Sequence, residues 1–413
     1  MTVPPGACDQ TSLKRSLSLP MLTLYGLGTT IGAGIYVLIG KTAGIAGMHA
    51  PISFLVAALL AGLTVLSFAE FSARLPKSAG EAVYVHAAFP VDFLALAVGL
   101  AVMFAGLISS AAISHGFVGY LHEFVDAPDW LAIVLLVGAL GAVAAWGITE
   151  STTVAVAATV IEIGGLCVAI WSGHENLADI PARLPELLPP LDMASWGGIL
   201  AASILAFYAF IGFEDMVNVA EEVKDAERTL PRAVILTLVI STAFYLVLAL
   251  VAVLSLPLDE LANSEAPITA LIERRTPGLS GAISVVAIIA VLNGALVQIV
   301  MASRVLYGLA SQGWLPRVLT RVHPRTQTPV LATVIVVAVV LAFALWLPLV
   351  RLAEITSFLM LGIFALVNLA LWQVKRHDPR PEGTFRVPIW VPAAGFLACA
   401  GVIVTRLLSG IAG

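Results

Sequence analysis

Charged residues are scarce in this chain of 413 residues. Only 11% are Asp, Glu, Lys or Arg, whereas 60% are hydrophobic and the mean hydropathy is +1.00. A water-soluble domain carries about 25% charged residues, because charged side chains cover its surface. The composition therefore argues against a soluble enzyme and against a disordered regulator. The net charge of −5 also argues against a broad basic surface for nucleic acid.

Several motifs of other protein classes are missing as well. The three cysteines form no CxxC pair and no Cys/His cluster, so neither a disulfide framework nor a zinc site is indicated. The sequence has no HExxH, no GxSxG and no paired aspartates on neighbouring apolar runs, which argues against an intramembrane enzyme. It also lacks a Walker A sequence, so ATP-driven transport is not indicated. We expect no enzyme activity, no metal, no bound cofactor and no nucleic-acid partner.

Long apolar runs fill the chain instead. A helix that crosses a lipid bilayer needs about 20 mostly apolar residues, whereas the strands of a membrane barrel alternate over about ten residues. The runs lack that alternation, so they predict an all-α polytopic membrane protein. The eleven predicted spans are 18–42, 51–73, 92–120, 130–148, 152–172, 196–222, 231–256, 280–309, 329–347, 351–374 and 388–408.

The Lys and Arg residues indicate the orientation. If the N-terminus is cytoplasmic, 15 of these 21 residues fall on the cytoplasmic side and 6 on the outer side. Loops that stay in the cytoplasm carry such an excess of positive charge. The pattern predicts a multi-pass protein of the cell (inner or plasma) membrane with a cytoplasmic N-terminus. An odd number of spans then places the C-terminus outside.

The first and sixth spans are interrupted by glycine near their middle. The first contains Gly32 and Gly34, and the sixth contains Gly212 within Phe207–Asp215. Gly32 and Gly212 lie 180 residues apart, and five spans fall in each half of the chain up to about residue 375. Because five is odd, the second half enters the membrane from the opposite side. This is the arithmetic of an inverted repeat, in which interrupted helices mark a substrate site at the midplane.

A break in a membrane helix frees backbone groups that need partners. It is tolerated only around a ligand, an ion or a water-filled cavity, because unsatisfied groups in lipid cost several kcal/mol. The free N–H groups around Ala33 and Gly34 suit a carboxylate, and the freed carbonyl groups of both helices suit an ammonium group. The two breaks together therefore predict a site for a zwitterion. The alternative is that the glycines only permit close packing of helices.

Further motifs agree with those of a known family. They are Gly32–Ile35, Phe207–Glu214, Ala220–Asp225, Arg228–Arg232, Met301–Gly308 and Phe385–Pro388. Over nearly its whole length the chain resembles the amino acid–polyamine–organocation (APC) superfamily of transporters, of the bacterial amino acid permease type. The resemblance implies a LeuT-like fold of five plus five helices, with helices 1 and 6 unwound. The implied organisation is an N-terminal tail (1–17), two inverted five-helix repeats (18–190 and 191–375), and a loop with an eleventh helix (376–413).

The resemblance also implies where the substrate binds. The carboxylate would bind the amides of Ala33 and Gly34, and the ammonium group would face three carbonyl groups. Phe207 or Tyr208 would form an aromatic gate over the substrate. The expected substrate-binding residues are Thr30, Ile31, Gly32, Ala33, Gly34, Phe207, Tyr208 and Ile211, with the three carbonyl groups those of Thr30, Tyr208 and Ile211.

Two acids within the spans suggest how transport is coupled to an ion. Glu162 is the only charged residue in its span, and a charge at that depth faces the protein interior and is functional by default. Several proton-coupled relatives in the resembled superfamily place a Lys there, so their mechanism does not transfer directly. We hypothesise that Glu162 carries a proton or couples ion and substrate. The alternative is a neutral Glu that only hydrogen-bonds freed backbone.

Glu214 is the second such acid. It begins a series with Asn218, Glu221 and Glu222 on one face of an α-helix, nearest the break, where it would sense substrate or protons. Other polar residues lie within the third and eighth spans. They would line the pathway or form hydrogen bonds between helices, and they are Ser110, Ser114, Asn293 and Gln298.

These features predict a secondary active transporter of an amino acid or a related amine. It would work by alternating access, with proton symport as the expected drive and sodium as an alternative ion. An exchanger without net ion coupling is the main alternative, and a channel is disfavoured by the matched glycine breaks. The expected partners are the substrate and the lipid bilayer. Neither the identity of the substrate nor the oligomeric state can be read from the sequence.

Overall fold

The computed structural model describes residues 17–77, 80–146, 152–311, 313, 315–324, 326, 328–377 and 385–411. Most of the predicted N-terminal tail and part of the loop before the last span therefore lie outside the described residues. Within these ranges the chain is helical and forms no β-strand. A parallel bridge joins Leu17 to Val223, which ties the start of the described chain to the end of the sixth predicted span.

Fifteen α-helices occur in the described residues. They are α1 (Leu19–Ala46), α2 (Ala50–Arg74), α3 (Gly80–Ala88), α4 (Asp92–Leu121), α5 (Asp129–Trp146), α6 (Thr152–Gly173), α7 (Ile180–Leu187), α8 (Met193–Tyr208), α9 (Ala226–Ser255), α10 (Leu258–Asn263), α11 (Pro267–Glu273), α12 (Ser280–Ser311), α13 (Val330–Trp346), α14 (Leu349–His377) and α15 (Trp390–Ile411). Shorter 3₁₀ segments are Gly47–His49, His174–Asp179, Phe213–Glu222, Pro277–Leu279 and Arg317–Thr320.

The long helices match the eleven predicted spans. By length and composition, eight apolar helical stretches of the described chain can cross a membrane, and α13 and most of α15 are shorter apolar helices. One of the eight stretches runs from Gly34 to Arg74 over 41 residues. At 1.5 Å per residue it is about twice the length of one crossing, and the turn at Gly47–His49 divides it into α1 and α2. The all-α polytopic fold is thus confirmed.

The helix ends follow local sequence signals. Pro20 and Pro51 occupy the first turns of α1 and α2, where the missing N–H of proline costs no hydrogen bond. Asp192 caps α8, since its side chain accepts a 2.8 Å hydrogen bond from the N–H of Ser195. These signals set where each helix enters the bundle.

Helix α1 lies inside the bundle. It packs against α6, α8, α9 and α12, and its residues Ile31, Ile35 and Tyr36 are fully buried. Helix α4 packs against α12 and α14, and α2 packs against α9. We call the side on which α2 ends and α4 begins the inner side, which is the predicted cytoplasmic side. The repeat boundaries and this orientation remain predictions.

Both predicted breaks are present. Within α1, Gly32 departs from helical geometry with φ −4° and ψ −139°. Helix six consists of α8 and the 3₁₀ segment Phe213–Glu222, with Gly212 between them at φ 126°. A positive φ of this size is accessible mainly to glycine. Each interrupted helix therefore has a glycine where its direction changes.

Candidate functional site

The two broken helices lie against each other. A Cβ atom added to Gly34 would lie 2.8 Å from the Cα of Ala209, so the α1 backbone approaches the end of α8 as closely as glycine permits. The Oγ1 of Thr29 donates a 2.9 Å hydrogen bond to the carbonyl oxygen of Gly212. The breaks therefore form one joint site rather than two separate kinks.

Tyr245 of α9 connects the two breaks. Its hydroxyl oxygen lies 2.8 Å from the carbonyl oxygen of Thr30 and 2.8 Å from that of Ala209. Freed carbonyl groups in a membrane need such partners. Nothing in the sequence around Tyr245 indicated this role, because the contact joins residues 215 positions apart. One of the carbonyl groups expected to face an ammonium group thus has a hydroxyl partner within the protein.

A narrow cavity adjoins the breaks, and we call it the central cavity. Its walls come from α1, α4, helix six and α12. The lining residues are Thr29, Thr30, Gly32, Gly34, Ser109, Ile113, Tyr208, Ile211, Asp215, Gly294, Val297 and Gln298. Backbone of both broken helices therefore borders the same space.

A second narrow cavity, the inner cavity, continues toward the inner side. It shares Ser109, Ile211, Asp215 and Gln298 with the central cavity. Its remaining lining residues are Val102, Met103, Ala105, Gly106, Glu214, Met301, Ala302, Val305, Thr356 and Met360. The two cavities therefore meet at the four shared residues.

The structure brings together some of the residues expected from the sequence and not others. Those that line the central cavity are Thr30, Gly32, Gly34, Tyr208, Ile211 and Gln298, and Glu214 lines the inner cavity. Those that line neither cavity are Ile31, Phe207, Ser110, Ser114, Asn293 and Glu162. The side chain of Ala33 lies outside the described part of the chain.

The two aromatic residues considered for a gate have different environments. Phe207 is fully buried and packs edge-on against Phe364 of α14, with ring centroids 6.0 Å apart. Tyr208 lines the central cavity, and its hydroxyl lies 2.8 Å from the Oγ of Ser109 on α4. Of the two, Tyr208 is therefore placed to contact a ligand.

The serines of α4 differ in the same way. Ser110 and Ser114 donate hydrogen bonds to the carbonyl oxygens of Ala295 and Ser110, respectively. Ser109, which precedes Ser110 and was not among the expected residues, lines both cavities. The α-helical period of the sequence could not show which of the adjacent serines faces the cavity.

Glu162 of α6 is fully buried behind the central cavity. Its Oε1 accepts a long 3.5 Å hydrogen bond from the side chain of Asn293, the residue before Gly294 of the cavity wall. Its Oε2 has no hydrogen-bond partner among the described residues. The hydroxyl of Tyr36 donates a 2.6 Å hydrogen bond to the backbone carbonyl of Glu162, not to its side chain. The carboxyl group is therefore held only weakly, through the long bond from Asn293.

The inner half of helix six is not the α-helix that the sequence predicted. Glu214, Asn218 and Glu222 were expected on one face of an α-helix, but Phe213–Glu222 is a 3₁₀ helix with about three residues per turn. The side chain of Glu221 lies outside the described part of the chain. Because the period differs, the expected shared face does not form.

Asp215, which follows Glu214 and was not among the expected site residues, borders both cavities. It is 4% exposed, and the side-chain nitrogen of Gln298 lies 3.5 Å from its Oδ2. Glu214 instead turns back to accept a 2.8 Å hydrogen bond from the N–H of Gly212. The tight 3₁₀ turn thus directs adjacent carboxylates to different places.

Glu81 is a further buried acid that the sequence reasoning missed. It lies at the start of α3, in the loop between the second and third spans, and is 3% exposed. Its Oε1 has no hydrogen-bond partner among the described residues. Burial raises the pKa of Glu81 from 4.5 to about 7; its own backbone N–H opposes the rise, and the charge of Asp215 adds to it.

We expect the Glu81→Gln variant to be more stable than the wild-type protein above pH 7. An acid whose pKa is raised by folding stabilises the protein fully below pH 4.5, and this contribution is lost as the pH rises through about 7. The loss corresponds to roughly 3 kcal/mol, because one pKa unit is about 1.4 kcal/mol. Melting temperatures in detergent at pH 5, 6, 7 and 8 measure the effect. Parallel pH profiles of the variant and the wild-type protein would contradict it, and Glu186→Gln, at an exposed position, is the control.

The lining of the two cavities combines polar and apolar groups. Among the residues described, no group of three or more His, Cys, Asp or Glu side chains is placed to hold a metal ion. The two cavities are lined by carboxylates, hydroxyl groups, an amide and apolar side chains. This chemistry suits a small organic molecule with polar ends and an apolar body.

Comparisons with known proteins agree with this arrangement. The model of the amino acid permease family matches residues 17–409. The chain is 28% identical to the branched-chain amino acid permease of Bacillus subtilis (strain 168), over 95% of this chain and 88% of the relative. It is 27% identical to the methylthioribose transporter of the same organism, over 95% and 87% of the two chains. It is 29% identical to the vacuolar cationic amino acid transporter 4 of Arabidopsis thaliana, over 90% of this chain and 64% of the relative.

Proposed function

Because the chain belongs to the amino acid permease family, we propose that it carries an amino acid across the cell membrane by alternating access, driven by proton symport. Residues of both broken helices line one cavity, and the backbone groups that such breaks free suit the carboxylate and ammonium ends of an amino acid. The cavity lies inside the bundle, as a carrier requires. Transport then consists of exposing this site to one side of the membrane at a time.

The proposal of proton coupling rests on Glu162. It is fully buried, and one of its carboxyl oxygens has no partner among the described residues. An ionised acid without a partner in the membrane interior is costly, so a proton on Glu162 stabilises this arrangement. A carboxyl group in this environment takes up a proton when closed off from water and releases it when water reaches it.

The position of Glu162 provides a route for coupling. Its partner Asn293 adjoins the wall of the central cavity, and Tyr245, which connects the two breaks, lies within electrostatic range of Glu162. A change of charge on Glu162 therefore acts on a group beside the cavity wall and on the group that connects the two breaks. Substrate and proton drive transport together if the doubly loaded carrier changes sides more readily than the half-loaded one.

We expect Glu162→Gln to abolish accumulation driven by a pH gradient while preserving exchange of substrate. A symporter that moves one proton per substrate accumulates it up to about tenfold for each pH unit, and glutamine cannot carry the proton. Liposomes that contain the purified protein are loaded with an amino acid. Uptake of the radiolabelled amino acid is then followed with and without imposed pH and sodium gradients. Accumulation by the variant should fall to the equilibrium level, whereas counterflow should remain measurable.

The same experiment distinguishes the alternatives. If Glu162→Gln accumulates substrate as the wild-type protein does, Glu162 is not the proton site. If the wild-type protein shows counterflow but no response to either gradient, it is an exchanger. If accumulation responds to the sodium gradient alone, the coupled ion is sodium rather than a proton. Glu186→Gln, which changes an exposed acid of α7, is the matched control and should behave as the wild-type protein.

A further inference from the structure

The relatives do not identify the side chain of the substrate. Their names specify branched-chain amino acids, methylthioribose and cationic amino acids, respectively. The backbone groups at the breaks recognise only the part that all amino acids share. The side-chain preference of this protein must therefore come from the side chains around its cavities.

The charge around the junction of the cavities is negative. Glu214 and Asp215 belong to the lining, and the lining includes no Lys, Arg or His among the described residues. Glu81 stands behind them on α3, within electrostatic range of both. Buried carboxyl groups within electrostatic range of one another repel when ionised, and a positively charged ligand relieves that repulsion.

Unpaired polar atoms point to a ligand as well. The Oγ1 of Thr30, a residue that lines the central cavity and is 3% exposed, has no hydrogen-bond partner among the described residues. The buried Oε1 of Glu81 also has none within the described part of the chain. Buried polar atoms are seldom left without a partner unless a ligand, an ion or water supplies one.

The residues that line the inner cavity suit the apolar part of a long side chain. Asp215 lies where the central cavity, which contains Gly32 and Gly34, meets the inner cavity. Three methionines, Met103, Met301 and Met360, border the inner cavity. Methionine side chains are flexible and apolar, so they pack against methylene groups.

We propose that the transported substrate is an amino acid with a positively charged side chain, and that Asp215 binds this charge where the two cavities meet. The inference rests on the proposed function, because the main-chain end of the substrate is assigned to the broken helices. Gln298 positions the Asp215 carboxylate through its side-chain amide, 3.5 Å away. Glu214 and Glu81 add negative potential from the inner side.

Lysine and norleucine provide the test, because they have side chains of similar length and only lysine is charged. Binding of each to the purified full-length protein is measured at fixed pH, and competition with radiolabelled lysine is measured in liposomes. The wild-type protein should bind lysine about 100-fold more tightly than norleucine, as expected for a buried charge pair. In Asp215→Asn this preference should largely disappear through weaker binding of lysine, with norleucine changed less than about threefold.

Two variants control the test. Asp225→Asn removes an exposed carboxylate from the same region, at a residue with φ 48° that asparagine also adopts, and should retain the preference for lysine. Asp215→Glu retains the charge and should retain most of the preference. If Asp215→Asn elutes as aggregate in size exclusion, Gln298→Leu replaces it, with weaker lysine binding expected.

The outcomes separate the two proposals. Equal binding of lysine and norleucine by the wild-type protein would overturn the inference and leave amino acid transport intact. So would unchanged lysine binding in a folded Asp215→Asn protein. If none of the twenty amino acids binds or exchanges, the proposed function itself fails.

Discussion

Replacement of Gly212 by alanine is expected to abolish transport almost completely. The residue has φ 126°, and an added Cβ would overlap the carbonyl oxygen of Thr29 and lie 2.6 Å from its carbonyl carbon. Backbone strain of this kind costs up to about 3 kcal/mol, which corresponds to roughly a 100-fold lower rate if it falls on the working conformation. Initial rates of radiolabelled amino acid uptake into liposomes measure the loss.

Gly197→Ala is the matched control for this prediction. Gly197 lies in α8, in the same broken helix, and an added Cβ would have no atom within 4 Å. We expect it to transport at the wild-type rate, since alanine favours the helix more than glycine does. If Gly212→Ala transports as fast as Gly197→Ala, the geometry at Gly212 is unnecessary for transport and the site must be placed elsewhere.

The second large effect is expected at Glu70, near the inner end of α2. Its carboxylate is fully buried and lies 2.8 Å from Arg74 and 2.7 Å from Lys375 of α14, and it accepts a 2.7 Å hydrogen bond from the N–H of Val387. Glu70→Gln leaves two nearly buried positive charges without this counter-charge. Removal of one partner from a buried ion pair costs about 3–5 kcal/mol. The melting temperature in detergent should therefore fall by several degrees.

A second variant and a control make the Glu70 prediction specific. Removing the charge of Lys375 as well, in Glu70→Gln/Lys375→Met, should restore part of the stability, because only Arg74 is then left without its counter-charge. Glu260→Gln breaks a pair with Arg274 in which both side chains are about half exposed, and it should cost less than about 1 kcal/mol. Equal melting temperatures for Glu70→Gln and Glu260→Gln would show that the buried network does not stabilise the fold.

The helices and both breaks were predictable because their causes are local. A run of about 20 apolar residues has one stable state in lipid, a helix, whatever its neighbours are. Gly32 and Gly212 lie near the middle of such runs in matching positions of the two halves, and both depart from helical geometry in the structure. The sequence also placed Glu162 correctly in the interior, since a charge in the membrane avoids lipid.

The directions of side chains at the site were less predictable. Residue spacing predicted an α-helix after Gly212, but the segment is a 3₁₀ helix. This geometry brings Asp215 to the cavities and turns the Glu214 carboxylate back to the N–H of Gly212. The choice among Ser109, Ser110 and Ser114 depended equally on the rotation of α4. Rotation is set by packing against other helices, and no property of one helix alone reveals it.

The sequence by itself determined that this is an all-α membrane protein with two broken helices, because length, hydropathy and glycine placement act within each segment. Its motifs added the resemblance to the amino acid permeases. Only the tertiary structure decided which carboxylate faces the cavities, that Tyr245 connects the two breaks, and that Glu70 pairs with Lys375 305 residues away. These contacts form when separate helices pack together. Their energies depend on distance and burial, which are properties of the assembled bundle rather than of any one segment.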